Sequence, residues 1–358
     1  MDKQETLSML RALSDVPGVS GFEDEVAALL KGYGNGLGGF TEDAMRNLYV
    51  KRPGLKEGLP ILQLDAHSDE VGFMVKAIRP NGTMDFIPLG GWVPTTAPAH
   101  RVLVRNGEGR WIPGIIASKP PHFLSEAERK EVPNLSDMVI DVGASSDREI
   151  REEFRISIAA PVVPDVKFEY LADHDLMIGK GFDNRLGCAA IIAALKELAG
   201  EDLGVAVTGA FASQEEVGLR GATVTAQRVK PDIAIVFEGC PADDTVVEPY
   251  AVQTAIKKGP MLRHIDARMI TNPRFQRFAL DTARSQGIPV QEAVRTGGST
   301  NGGAIHLSGQ AVPVIVIGIP VRYIHTHYGI SAFADFAYSV QLACVIIRAL
   351  NKNLIEGF

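Results

Sequence analysis

The sequence predicts an α/β protein, a mainly parallel sheet sandwiched by helices, with a small β-rich domain inserted into it. Three observations carry that expectation. After about residue 175, strand-like and helix-like segments alternate, the pattern of parallel strands joined by crossover helices. Between about Val71 and Pro161 the pattern changes to short β-like pieces broken by Asn81-Gly82, Gly90-Gly91 and Gly107–Gly109, which read as tight turns. The 358 residues are 46% hydrophobic, enough for roughly two domains of about 150 residues. Residues 1–69 and 162–358 are therefore expected to form one discontinuous domain, and 70–161 the insert.

Taken in order, Leu7 to Leu13 and Val26 to Leu30 carry helical spacing. Ser20 with Glu23 reads as a capping box for the second of these helices. Ile61–Leu64 is a short apolar run that reads as a strand. The insert offers β-like pieces at Val71–Ile78, Thr83–Ile87, Arg101–Val104, Trp111–Ala117 and Met138–Val142, and one helical stretch, Ser146 to Phe154. Helices then follow at Asn184–Ala199, Arg220–Val229, Pro273–Gln286 and about Ser331 to Leu350. Between them lie strands at Val205–Ala212, Ile233–Phe237 and Val312–Ile317.

Composition excludes several classes. With 36 Lys+Arg against 43 Asp+Glu the net charge is −7, which argues against nucleic acid and anionic membranes as partners. No run approaches the roughly 18 apolar residues of a membrane span. The opening MDKQETLSML lacks the basic-then-apolar layout of a signal peptide. Cys188, Cys240 and Cys344 are too few and too dispersed for a disulfide framework or a CxxC zinc module. A cytoplasmic globular protein is expected. Gly297, Gly298, Gly302 and Gly303 are not followed by Lys-Ser/Thr in Walker spacing, so nucleotide binding is rejected.

In open α/β sheets ligands collect at the carboxyl ends of the strands. Ile61–Leu64 leads into Asp65-Ala66-His67-Ser68-Asp69, Val205–Ala212 into Ser213-Gln214-Glu215-Glu216, Ile233–Phe237 into Glu238, and Val312–Ile317 towards Arg322-Tyr323-Ile324-His325. A further acid, Asp183, precedes a helix. Imidazoles with carboxylates suit Zn²⁺ or another first-row divalent ion. Asp183, Glu216 and Glu238 bring three negative charges and a bound hydroxide a fourth. Two divalent ions balance them, whereas one would leave buried negative charge. Asp69, two residues from His67 on the same side of an extended chain, is placed to fix the histidine tautomer. Glu215 is placed to take a proton from a metal-bound water.

The segments AHSDEVGF, GKGFDNRLG, QEEVGLRGA and RYIHT, in that order and spacing, resemble the glutamyl/leucyl aminopeptidase family of two-metal metallopeptidases, the tetrahedral cytosolic aminopeptidases. The resemblance spans essentially the whole chain, including LGGW (Leu89–Trp92), SKPPH (Ser118–His122) and IDVGA (Ile140–Ala144) in the insert. It implies a zinc-exopeptidase-like catalytic domain and an oligomerisation insert assembling dimers into a dodecamer. It further implies two divalent ions per chain, Zn²⁺ first, with Co²⁺ or Mn²⁺ as alternatives. His67 and Glu238 resemble the terminal ligands of one ion, Glu216 and His325 those of the other, and Asp183 the bridge. Asp69 resembles the residue orienting His67, and Glu215 the general base. The implied reaction removes the N-terminal residue from short peptides through a water held between the metals.

Two positions depart from the family pattern. Glu238 stands where aspartate is usual, and Gly297-Gly298-Ser299-Thr300 stands where Gly-Gly-Thr-Asp is common. They motivate an alternative, a degenerate homologue that binds metal and peptides or partners without turnover. A glycoside hydrolase is a further alternative, which would need two carboxyls straddling a sugar bond. Arg220, Arg322 and His327 are candidate substrate contacts, and His327 is also the alternative ligand to His325.

Overall fold

The computed structural model describes residues 1–53 and 58–358. Helices α1 (Lys3–Asp15) and α2 (Asp24–Tyr33) lead into strands β1 (Phe40–Glu42), β2 (Leu48–Lys51) and β3 (Ile61–His67). Six strands follow: β4 (Gly72–Ile78), β5 (Met84–Leu89), β6 (Arg101–Arg105), β7 (Trp111–Ala117), β8 (Val139–Asp141) and β9 (Pro161–Pro164). The predicted helix at Ser146–Phe154 is one short turn, α3 (Asp147–Glu149), running into a π-helical turn over Ile150–Phe154. The chain returns through β10 (Glu169–Leu171), β11 (Leu176–Gly179), α4 (Phe182–Glu197), β12 (Ala206–Ala212), α5 (Arg220–Val229) and β13 (Ile233–Pro241). It ends with β14 (Met261–Ile265), α6 (Pro273–Ser285), β15 (Gln291–Val294), α7 (Gly302–Ile305), β16 (Val314–Val321), β17 (Gly329–Ala332), α8 (Phe333–Ala349) and α9 (Lys352–Ile355).

Eight strands form the main sheet in the order β1-β2-β12-β3-β13-β16-β14-β15. Its centre, β12-β3-β13-β16, is parallel throughout, so the mainly parallel α/β architecture is present. The antiparallel β1-β2 pair joins one side, and the parallel β14-β15 pair joins antiparallel to β16 on the other. Strands β4 to β9 close into a separate barrel, the inserted β unit. Its last strand runs to Pro164, beyond residue 161.

Period-two alternation divides the main sheet between two cores. Ile233, Ile235 and Phe237 of β13, with Leu62 and Leu64 of β3, join the large core that includes α4 and α8. Ala234 and Val236 pack instead with Ala226 of α5 and Ile305 of α7. By the same parity, Gln63, Asp65 and His67 of β3 and Glu238 of β13 share that second face. The barrel has its own core around Phe73, Val102, Ile116, Ile140 and Val162. No helix among the described residues is long and apolar enough to cross a membrane.

The predicted capping box is not made. Helix α2 begins at Asp24 with Glu23 as its N-cap and no side-chain cap bond. Ser20 Oγ donates to Asp69 Oδ2 at 2.6 Å, while Glu23 Oε1 accepts from Gly21 N and Gln214 N. Buried acceptors and donors at the sheet rim claim both side chains, a demand that local sequence does not display.

Candidate metal centre

Strand register assembles the site. In β12 Ala212 pairs with His67 of β3, which sets Glu215 and Glu216 just past the end of β12 on the same rim. In β13 Val236 pairs with Asp65. Two residues further along each strand, Glu238 Oε1 lies 3.2 Å from His67 Nε2. The sequence placed Glu238 just after its strand, but β13 continues to Pro241, so this side chain is fixed by ladder backbone. Asp183 enters on the first turn of α4, where its φ/ψ are non-helical.

Asp183 joins the two histidines, one oxygen each. Its Oδ1 is 3.0 Å from His67 Nε2, and its Oδ2 is 3.5 Å from His325 Nε2. Glu216 Oε2 is 3.4 Å from the same His325 nitrogen. Two groups of ligand atoms therefore share Asp183: His67, Asp183 and Glu238, and Asp183, Glu216 and His325, each within 4.8 Å. A third group, His67, Glu215 and Glu216, meets the same limit. Donors about 2.0–2.1 Å from a tetrahedral ion stand roughly 3.3 Å apart, which the observed spacings match. Glu216 Oε1 and Glu238 Oε2 are buried without a hydrogen-bond partner, a costly state unless a cation answers them. These residues fit a divalent ion.

The electrostatics follow from burial. Desolvation, then Asp183, pushes the Glu216 and Glu238 carboxyls well above the ordinary range. Glu215 is pushed up to about 8 by burial, with Glu216, Asp183 and Asp69 adding to it. Asp183 moves the other way: burial opposes its ionisation, but His325 and His67 outweigh that and hold it low. His67 is raised because Glu215, Asp183 and Asp69 overcome the burial that disfavours its cation.

Supporting residues fix the ligands. His67 Nδ1 meets the backbone carbonyl of Asp69 at 3.1 Å, with the Asp69 carboxylate at 3.4 Å. That carboxylate instead accepts from Glu215 N at 2.9 Å and Glu216 N at 3.2 Å. Behind Asp183, Lys180 Nζ makes a buried pair with Glu70 Oε1 at 2.6 Å, and Asn184 Nδ2 donates to the Phe237 carbonyl. The barrel also reaches the site. A Cβ on Gly91 would stand 3.0 Å from His325 Nδ1, and one on Gly90, at φ +86°, would meet Val71 at 2.6 Å and Glu216 at 3.3 Å. The LGGW turn is therefore a backbone-close wall of the centre.

Three expected contacts lie elsewhere. Arg322 is held bidentately by Asp244 at 2.9 and 2.6 Å. Arg220 reaches Gln214 Oε1 at 3.4 Å. Neither lines the cavity of about 460 Å³ that opens onto the acidic residues. His327 joins no ligand group. It stacks on His100 with centroids 4.1 Å apart and meets the edge of Trp92, and burial and His100 push its pKa down to about 3. The cavity's arginines are Arg263, Arg268 and Arg295. They sit on β14, after β14 and after β15, and nothing in their local sequence marks them.

The chain is similar to known proteins over most of its length. The family model described as M42 glutamyl aminopeptidase matches residues 46–342. The glutamyl aminopeptidase of Lactococcus lactis is 34% identical, covering 98% of each chain. A TET aminopeptidase from a marine-sediment Thaumarchaeota archaeon superposes with a TM-score of 0.94 at 36% identity, covering 99% of each chain. The TET1 peptidase of Pyrococcus horikoshii, described as assembling into a tetrahedron or a large octahedral shell, gives 0.86 at 28% identity, covering 96% of this chain and all of that one. The chain belongs to the M42 glutamyl aminopeptidase family, and is thus a hydrolase of the aminopeptidase class.

Proposed function

We propose that this aminopeptidase holds two divalent ions and removes the N-terminal residue from short peptides, with Glu215 as general base. The observation that carries the reading is Asp183, which offers one oxygen to each histidine-containing ligand group. His67, Asp183 and Glu238 would hold one ion, and Asp183, Glu216 and His325 the other. When bound, such ions polarise a carbonyl and make water acidic enough to attack at neutral pH. Zn²⁺ suits the donors best, with Co²⁺ or Mn²⁺ as alternatives.

Glu215 needs no place in either Asp183-centred group, although it stands 3.9 Å from His67 Nε2. In the metal-free chain burial raises its carboxyl, and beside an ion-bound water a glutamate serves as general base. In this reading Glu215 takes the proton of the attacking water and hands it to the leaving amine. Asp69 holds the Glu215–Glu216 backbone so that base and ligand keep their separate positions. The test is a screen of aminoacyl amides and short peptides on metal-loaded protein beside Glu215→Gln. Activity that vanishes in the variant while metal content stays constant supports the reading. Two ions bound with no cleavage in the wild type overturns it in favour of a protein that binds without turnover.

Self-association through the barrel, from dimers towards a dodecamer, is part of this proposal. Val93, Ile115, Phe123 and Val132 of the inserted segment are exposed apolar side chains, and the Pyrococcus relative forms shells. A monomer in light scattering at micromolar protein would exclude it. A cytoplasmic location belongs to the same reading, since all three cysteines are free and buried.

A further inference from the structure

We propose that Asp65 and Asn301 are a positioning pair for the reaction. Their buried hydrogen bond fixes the Gly297–Ser299 turn, one wall of the reaction cavity, to the strand that carries His67. The proposal rests on the aminopeptidase reading above and adds two residues that lie outside the ligand groups.

Asp65 sits in the middle of β3, paired with Ala210 of β12 on one side and Val236 of β13 on the other. It is fully buried and shares a sheet face with His67, two residues on. Its Oδ2 accepts from Gln63 Nε2 at 2.7 Å and from Thr225 Oγ1 at 3.2 Å, partners on β3 itself and on α5. Its Oδ1 reaches further, accepting from Asn301 Nδ2 at 2.6 Å across 236 positions of the chain. A carboxylate acceptor makes this bond stronger than one between neutral groups.

Asn301 is the N-cap residue of α7, a position where asparagine ordinarily caps the helix with its own side chain. Here it makes no such bond. Its amide goes to Asp65 instead, and its Oδ1 is buried without a partner, a state that costs stability. A side chain that gives up its local role and leaves an acceptor unmet is held by the contact it does make.

The turn before it depends on such an anchor. Gly297, Gly298 and Ser299 line the cavity of about 460 Å³. A Cβ at either glycine would meet nothing within 4 Å, and Thr300 Oγ1 is occupied locally by Gly302 N. Among the described residues, hydrogen bonds tie this segment to other elements at two points: Ala267 N to Gly298 O at 3.1 Å, and Asn301 to Asp65. The second of these reaches the central sheet. The turn also lacks the acid of a Gly-Gly-Thr-Asp segment, and Asp65 brings a carboxylate to it from β3. Breaking the pair therefore loosens a wall that substrate touches, while the strands that carry the ligand groups keep their register.

The experiment is a charge swap. Asn301→Asp sets two carboxylates against each other, Asn301→Ala removes the contact, and Asp65→Asn/Asn301→Asp restores one acid and one amide in exchanged places. For each protein, kcat and KM on an aminoacyl amide are measured beside metal content and thermal melting. KM does not depend on how much of a sample is folded. The expected result is a KM raised about tenfold or more in both single variants, with kcat changed less and metal content unchanged. The swap should return KM to within about threefold of the wild type. Wild-type KM in Asn301→Ala overturns the proposal, as does a swap variant no better than Asn301→Asp, and both leave the aminopeptidase reading standing. A wild type that cleaves no aminoacyl amide or short peptide overturns that reading, and this proposal with it.

Discussion

Asp69 Oδ1 accepts the backbone N–H of Glu215 at 2.9 Å, while Oδ2 takes the N–H of Glu216 and the Ser20 hydroxyl. One fully buried carboxylate therefore sets the separation between the proposed base and the proposed ligand beside it. Asp69→Asn keeps the volume but turns one acceptor into a donor facing an N–H. We expect activity to fall about 10–100-fold, the usual cost of disturbing an outer-sphere partner, with metal still bound. Steady-state kinetics beside metal analysis of the same sample checks this, and unchanged kcat would contradict it.

Metal removal should make stability depend on pH. In the metal-free fold the Glu215 carboxyl lies near 8 rather than 4.5, so the folded chain keeps a proton that the unfolded chain has released. Stability from this group is full below about 4.5 and is lost as pH rises towards 8. Raised His67 works in the same direction, while lowered Asp183 matters only in acid. At roughly 1.4 kcal/mol per unit, the loss amounts to several kcal/mol. Chelated protein should therefore melt several degrees lower at pH 8 than at pH 5.5, and added Zn²⁺ should recover more at the higher pH. A flat profile in thermal scans would count against this.

The Lys180–Glu70 pair is 1% exposed at both ends, and Arg185 Nη2 stands 3.4 Å from the same Glu70 oxygen. Lys180→Met removes one partner and leaves a buried carboxylate under-compensated, a change that costs about 3–5 kcal/mol. The double variant Lys180→Met/Glu70→Leu should recover part of that loss. Denaturant unfolding of both proteins tests it, and a single variant as stable as the wild type would refute it.

Gly91 brings barrel backbone against His325. Gly91→Val forces a Cβ to within 3.0 Å of His325 Nδ1 and should displace that ring from Glu216 and Asp183. The expected outcome is a loss of affinity for one ion of about tenfold or more, with the barrel still folded by circular dichroism. Two ions retained at wild-type affinity would show that the turn has room to yield.

Much of this site is legible because each ligand follows or ends an apolar run that can only be a central strand. His67 and Glu238 lie in β3 and β13, Glu216 and His325 lie a few residues beyond β12 and β16, and the parallel register of those four strands brings them together, whereas Asp183 comes from the first turn of α4. What escaped the sequence depends on contacts between distant segments. Ser20 and Glu23 carry a capping-box spacing, yet Asp69 and Gln214 engage them. Arg322 sits beside the rim, but Asp244 claims it. The cavity's arginines come from β14 and from the segments that follow β14 and β15, short edge strands that lack a strong apolar period. In the sequence Asp65 stands out only as part of the run leading to His67. In the fold it is a buried acid pushed up to about 6 by desolvation and held by Gln63, Asn301 and Thr225.

The most direct test of the account is the metal stoichiometry of stripped protein titrated with Zn²⁺ or Co²⁺, for the wild type and Asp183→Asn. The account predicts two ions per wild-type chain. In the variant both should be weakened together and aminopeptidase activity lost, because one carboxylate serves both groups. A fully active wild type holding a single ion, or a variant that binds two ions as tightly as the wild type, would contradict it.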